Sequence, residues 1–150
     1  MPTSSRRHPQ HAITLLTRAE RLLARRVRAV LDAEGHSLDA WRVLSLLADG
    51  AGHHMTEIAD HAFLPPATLT KLVDQLVDQN LVHRRIDPLD RRRIRAYLTP
   101  RGEQLCRRID AAVRASWAGL PVGESDQELL TELLTRLVDA LEAEPATPTR

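Results

Sequence analysis

The sequence predicts a mainly α-helical fold carrying one small β-hairpin, and three observations lead there. Apolar residues recur at i, i+3 and i+4 along most of the 150 residues, the period of amphipathic helices. One stretch, residues 82–98, switches to period two on either side of an Asp/Pro turn, as a hairpin does. Glycine is scarce, at 6 residues, while Leu, Ala and Arg, all good helix formers, are abundant.

Residues 11–34 carry Ala12, Leu15, Leu16, Ala19, Leu22, Leu23, Val27, Val30 and Leu31 on one face. Thr14, Arg18, Arg21, Arg25, Arg28 and Asp32 form the opposite, solvated stripe, and Gly35 stops this first long helix. Ser37 is placed to cap a second helix, with Leu38, Trp41, Leu44, Leu47 and Ala48 as its buried stripe and Gly50 and Gly52 ending it. A short third helix follows, with Met55, Ile58, Ala59 and Ala62 on one side. Pro65 and Pro66 fit the start and first turn of a fourth, where a missing N–H costs nothing. Leu69, Leu72, Val73 and Leu76 face inward on it. Thr68, Thr70, Lys71, Asp74, Gln75 and Asp78 are left outside, a set of short polar groups and an amide suited to reading base edges.

In the hairpin, Val82 and Ile86 oppose His83 and Arg85, and Ile94, Ala96 and Leu98 alternate with Arg95, Tyr97 and Thr99. The helical period returns from Arg101 through Leu105, Ile109, Ala112, Val113 and Ser116, until Gly119, Pro121 and Gly123 break it. A last helix spans about Ser125 to Glu144. Its face of Leu129, Leu130, Leu133, Leu134, Leu137, Val138 and Leu141 is too wide for the surface helix of a small monomer and points to a partner. Residues 1–10 and 145–150 are expected to be disordered tails.

The net charge of +1 hides an uneven distribution. Residues 64–102 hold eight Lys/Arg against four Asp/Glu, whereas residues 103–150 hold five against nine. A basic middle beside an acidic C-terminal third suggests a polyanion-binding face on a scaffold that does not share that task. The single cysteine, Cys106, excludes an internal disulfide framework and a multi-cysteine zinc site. No apolar run reaches the length of a membrane span, so the expectation is a soluble cytoplasmic protein without a membrane partner. Seven histidines raise metal sensing as an alternative. His36, His53, His54, His61 and His83 are scattered, and no His-x3-His pair shares a helical face with a carboxylate. A Gly-rich phosphate loop, a nucleophile elbow and a paired-carboxylate constellation are all missing, which argues against an enzyme.

Two short helices joined by a tight loop, then a hairpin tipped with arginines, describe a winged helix-turn-helix. The second helix of the pair enters the major groove and the hairpin lies along the backbone. A guanidinium is flat, permanently charged and weakly hydrated, so it suits a narrow minor groove where the negative potential is strongest. Asp90, two residues before Arg92, is placed to brace that guanidinium, and Asp87-Pro88 starts the turn.

The chain resembles the MarR-type bacterial transcriptional regulators. The residues that carry the resemblance are Trp41-Arg42-Val43-Leu44, Thr56-Glu57-Ile58-Ala59, Ala67 through Leu76, and Leu81-Val82. The most specific are Asp87-Pro88-Leu89-Asp90-Arg91-Arg92 and Leu98-Thr99-Pro100-Arg101-Gly102, at the family's spacing for its wing and the following helix. The resemblance covers residues 11–144 as a single unit of six helices, with dimerisation helices at 11–35 and 101–144 around a DNA-binding lobe at 37–100. It implies a homodimer on pseudo-palindromic double-stranded DNA, usually a repressor, released in some members by a small phenolic or lipophilic ligand; no cofactor is implied. A dimeric adaptor that has lost DNA binding is a further alternative. Carried over by position, Ala67, Thr68, Thr70 and Lys71 of the fourth helix would meet bases or phosphates; Thr56, Pro66 and Gln75 are further candidate DNA contacts on the helices. Arg84, Asp90, Arg91, Arg92, Arg93 and Arg95 are the candidates on the wing. Leu15 and Trp41 would border an effector pocket. Two departures stand out. Peroxide-sensing members keep a reactive cysteine near the first helix, whereas Cys106 lies in the fifth and reads as a buried or dimer-facing small residue. Pro65-Pro66 replace the hydroxyl-bearing cap usual at the start of the fourth helix.

Overall fold

A computed structural model describes residues 9–143. The elements in chain order are α1 (Pro9–Glu34), α2 (Leu38–Leu47), β1 (His53–His54), α3 (Met55–Ala62), α4 (Pro66–Asp78), β2 (Val82–Ile86), β3 (Ile94–Leu98), α5 (Pro100–Ala118) and α6 (Glu124–Ala143). Pro9 and Gln10, expected in a disordered tail, belong to α1. The remainder of both expected tails lies outside the described residues. By its contacts the chain divides into two compact units, the first ending at Ser116 and the second beginning at Trp117.

In the first unit, helices α2 to α4 pack with α5 around Leu31, Val43, Leu44, Leu47, Ile58, Leu69, Val73, Leu76, Leu105 and Ile109, all essentially inaccessible to solvent. Period three-to-four is obeyed on α3 and α4 as the sequence predicts. On α2 the buried stripe is Ala40, Val43, Leu44 and Leu47, which keeps Leu44 and Leu47 of the expected Leu38, Trp41, Leu44, Leu47 and Ala48 but brings in Ala40 and Val43 for the others. Both faces of that helix are apolar, so its sequence period does not single one out. Leu38 and Trp41 pack against the core from its rim. Ser37 caps α2 as expected, its hydroxyl oxygen accepting the Ala40 N–H at 3.1 Å. On α1 only Leu31 is fully buried, and Ile13, Leu15, Leu16 and Leu22 remain more than a third exposed.

The expected two-stranded hairpin is the larger part of a three-stranded antiparallel sheet, ordered β1-β3-β2. In the hairpin Val82 pairs with Leu98 and Ile86 with Ile94; the extra strand places His53 opposite Ala96 and His54 opposite Arg95. Two residues are too few to show a period, so the sequence reading does not find β1. Val82 and Ala96 turn into the core, while Ile86 and Ile94, far along the hairpin, face solvent.

The Leu98–Gly102 segment acquires a physical explanation. Thr99 caps α5: its oxygen accepts the Gly102 N–H at 3.0 Å while its hydroxyl donates to the Asn80 carbonyl at 2.6 Å. Pro100 takes the first helical position, where its missing N–H is harmless. Gly102 is buried against the Leu81 carbonyl, and a Cβ there would stand 2.1 Å from that oxygen. Only glycine lets the helix sit so close to the 80–81 segment.

The second unit begins with a turn in which Leu120 N–H donates to the Trp117 carbonyl at 2.9 Å. It continues into α6, whose first turn carries Glu124 and Asp126, the charge sign the helix N-terminus favours. No residue of α6 is buried; Leu129, Leu130, Leu133, Leu134, Leu137, Val138 and Leu141 are 37% to 62% exposed.

Candidate nucleic-acid interface

Helices α3 and α4 are joined by Phe63, Leu64 and Pro65. Phe63 terminates α3 in the left-handed region at φ 53°, with Leu64 N–H donating to the Ala59 carbonyl at 3.0 Å. Such a conformation is uncommon for a bulky residue, and the Phe63 ring is 91% exposed. Pro65 and Pro66 begin α4, and no side chain caps it. Its first-turn N–H groups therefore stay available to an anion, with the helix dipole behind them.

Thr56, Pro66, Ala67, Thr68, Thr70, Lys71 and Gln75 are all exposed. Ala67, Thr68, Lys71 and Gln75 lie together along a cleft of about 420 Å³, whose other wall is Ser37 and Asp39 at the start of α2. The Thr70 hydroxyl donates to the Pro66 carbonyl of its own helix at 2.9 Å, which leaves its oxygen only the acceptor role towards an outside group.

The wing brings together only part of its expected set. Arg91, Arg92 and Arg93 are exposed at the tip, and none of the ion pairs among the described residues involves them. Arg84, Arg95 and Asp90 each engage another group of the fold. Arg84 is bound to Asp74 of α4, so it ties β2 to the helix rather than standing free. Arg95 donates from Nε to Asp87 at 3.0 Å and is two-thirds covered. Both pairings are tertiary and leave no trace in local sequence. Asp90 does not brace the Arg92 guanidinium; its carboxylate accepts the Arg92 backbone N–H at 3.0 Å and shapes the turn instead. Arg93 N–H closes that turn onto the Asp90 carbonyl at 2.9 Å.

Asp87 does more than start the turn. It is buried, and one carboxylate oxygen accepts the Leu89 N–H at 2.9 Å. The other accepts from Arg95 and lies 3.1 Å from His54 Nε2. The Leu89 N–H and the Arg95 guanidinium hold this carboxyl below the usual carboxylate range. His54, read from sequence as one of several scattered polar histidines, is buried at the junction of β1 and α3. Its neighbour His53 sits between Asp49, 2.7 Å from Nε2, and Glu57, 3.1 Å from Nδ1. The Ala51 N–H, then His53, lowers the Asp49 pKa. At Glu57 burial acts in the opposite direction, but hydrogen bonds from His53 and from the His54 N–H outweigh it. Among the described residues, no three His, Cys, Asp or Glu side chains group as metal ligands. None of these roles of His54 and Asp87 shows in the sequence pattern; the Asp-Pro pair is the only hint.

Leu15 and Trp41 line neither of the two cavities described next. Leu15 is 52% exposed, and Trp41 is half-buried with its Nε1 unpartnered. A cavity of about 640 Å³ lies instead among α2, the sheet and α5, lined by residues including His83, Tyr97 and Cys106. Another of about 500 Å³ separates α1 from α2, lined by Arg21, Arg25, Arg28 and Arg42 among others. Cys106 is buried, with its Sγ 3.7 Å from the Leu44 carbonyl, and burial pushes its thiol up to about 11.

A helix-turn-helix with an exposed polar second helix, followed by a hairpin with free arginines at its tip, defines a winged helix-turn-helix protein of the DNA-binding class. A sequence profile of the MarR family matches residues 35–93. The HTH-type transcriptional repressor Rv2887 of Mycobacterium tuberculosis is 32% identical over 102 residues, covering 68% of this chain and 73% of the relative. A putative transcriptional regulatory protein for the hcr operon of Thauera aromatica is 30% identical over 112 residues, 73% of this chain and 68% of the relative. The crystal structure of NadR in complex with 4-hydroxyphenylacetate superposes with a TM-score of 0.76 at 29% identity, over 91% of this chain and 97% of NadR. The chain belongs to the MarR family of transcriptional regulators, and that family is not one of enzymes. Among the described residues no helix is long and apolar enough to cross a membrane.

Proposed function

We propose that this chain is a cytoplasmic homodimeric repressor that binds inverted-repeat operators, with α4 in the major groove and the β2–β3 wing on the adjacent minor groove. The observation that carries this reading is selective pairing. Arg84 and Arg95, on the strands of the wing, are held by Asp74 and Asp87, whereas Arg91, Arg92 and Arg93 at its tip are left exposed, and the polar α4 has no side-chain cap. In this arrangement the first turn of α4 receives a phosphate, and Lys71 and Gln75 reach base edges. Thr70 accepts from an exocyclic amino group, its own proton being engaged. The exposed leucines of α6 and of the N-terminal half of α1 are covered by a second copy, because a monomer would present an apolar patch larger than soluble monomers tolerate. Release by a small aromatic ligand fits the relatives: one solved neighbour is a complex with 4-hydroxyphenylacetate, another with p-aminosalicylic acid.

The test compares Gln75→Ala with Arg92→Ala in competition binding against a selected operator and random duplex. Gln75→Ala should cost about 1–3 kcal/mol on the operator and much less on random DNA. Arg92→Ala should weaken both by a similar factor and make affinity less steep in salt. An Arg92→Ala protein with unchanged affinity and salt slope overturns the wing assignment.

A further inference from the structure

We propose that Leu89, at the apex of the wing, is itself a DNA-contacting residue, its side chain packing on the deoxyribose walls of the minor groove beside the tip arginines. The inference rests on the DNA-binding reading above and adds to it an apolar contact that charge does not supply.

Leu89 is 89% exposed, and behind it Ile86 and Ile94, paired in register, are 65% and 45% exposed. An isolated exposed leucine is unremarkable; this one is held in place. Pro88 restricts the backbone before it. The buried Asp87 carboxylate accepts the Leu89 N–H at 2.9 Å and is itself fixed by Arg95 and by His54. On its other side, Asp90 closes the turn through the N–H groups of Arg92 and Arg93. The fold thus spends buried polar groups on keeping an apolar side chain outward at the end of the hairpin.

The neighbouring charges identify what covers it. From residue 88 to 93 the only charges are Asp90 and three arginines, none of which takes part in an ion pair among the described residues. The complementary surface is therefore a polyanion that also offers apolar area at close range. The minor groove meets both needs: phosphates line its rims and C–H groups of the sugars form its walls, and proteins that bind there bring Leu, Ile or Phe into it, chiefly as wedges between base steps. A protein partner with an apolar socket would leave the three arginines without opposing charge.

The experiment uses the full-length chain, with Leu89→Ser and the conservative Leu89→Met, on a duplex selected from a random pool. Affinity is measured at several salt concentrations, and hydroxyl-radical cleavage reports protection of the sugars. Leu89→Ser should bind about tenfold more weakly at every salt concentration, the scale expected for losing most of a leucine's burial. Its salt slope should match the wild type, since no charge is lost. Protection should disappear only at the sugars under the wing, and Leu89→Met should regain most of both. Wild-type affinity and protection in Leu89→Ser overturn the inference, as does a loss accompanied by a shallower salt slope, which would mean displaced arginines. A change in self-association with DNA binding intact would assign Leu89 to a second copy of the chain and likewise overturn it. If the wild type itself shows no salt-dependent binding to any duplex, the DNA-binding reading fails first, a result distinguishable from the others.

Discussion

Replacing Gly102 by alanine adds one methyl group at the tightest backbone approach described above. An ideal Cβ there lies 2.1 Å from the Leu81 oxygen and 3.1 Å from its carbonyl carbon. Carbon and carbonyl oxygen tolerate about 3.3 Å, so the first turn of α5 or the 80–81 segment must move by about 1 Å. The displacement acts on a connected set of bonds. Leu81 oxygen accepts the Thr99 N–H at 3.0 Å, and Thr99 both caps α5 through Gly102 and donates to Asn80. Overpacking of this kind costs about 1–3 kcal/mol, and a weakened cap adds about 1 kcal/mol. The helix preference of alanine over glycine returns less than about 1 kcal/mol so near the end of a helix. The net expectation is a loss of about 2–3 kcal/mol, or a fall in Tm of roughly 5–10 °C for a chain of this size. Urea denaturation followed by circular dichroism gives the measurement, at one protein concentration, since any self-association would add to apparent stability. A Gly102→Ala protein within about 0.5 kcal/mol of the wild type, the range of an ordinary surface change, would refute the reasoning.

Two further outcomes follow from burial and exposure. The folded state keeps the Cys106 proton, since burial raises its pKa from the ordinary 9.0 to about 11. Its contribution to stability is complete below about pH 9 and is lost as pH rises towards 11. Urea midpoints should therefore fall across that window in the wild type and less so in Cys106→Ala; equal slopes would count against it. A charge on the α6 face, Leu134→Glu, should turn a dimer into a monomer in light scattering at micromolar concentration. The same dimer mass for both proteins would place the contact elsewhere.

Helix positions and the hairpin were legible because each carries a repeating apolar period several residues long. Ile58, Ala59 and Ala62 on α3, and Leu69, Val73 and Leu76 on α4, lie where that period puts them. Where both faces of a helix are apolar, as on α2, the period loses its power and Val43 replaces Trp41 in the core. The β1 strand escaped because two residues have no period. The candidate site divided along the same line. Exposure of Thr70, Lys71, Gln75 and the tip arginines follows from local pattern. The pairing of Arg84 with Asp74, of Arg95 with Asp87, and the burial of His54 depend on which segments meet in three dimensions. A charged residue reads the same in sequence whether it faces water or a carboxylate from elsewhere in the chain.

The junction at Asp87 has a consequence for how fast and how tightly such a protein can engage its site. One carboxylate joins the start of α3 through His54, the strand β3 through Arg95 and the turn through Leu89. A loose turn over residues 88–92 would lose roughly 1–2 kcal/mol of backbone freedom per residue on being immobilised against DNA. With the turn already ordered by folding, that entropy is surrendered before the encounter and not during it. Under the DNA-binding proposal above, docking would then need no rearrangement of the hairpin after first contact. The wing is tied to α4 through Arg84 and Asp74 and to the β1 segment through Asp87 and His54, so more than one contact fixes its position relative to that helix.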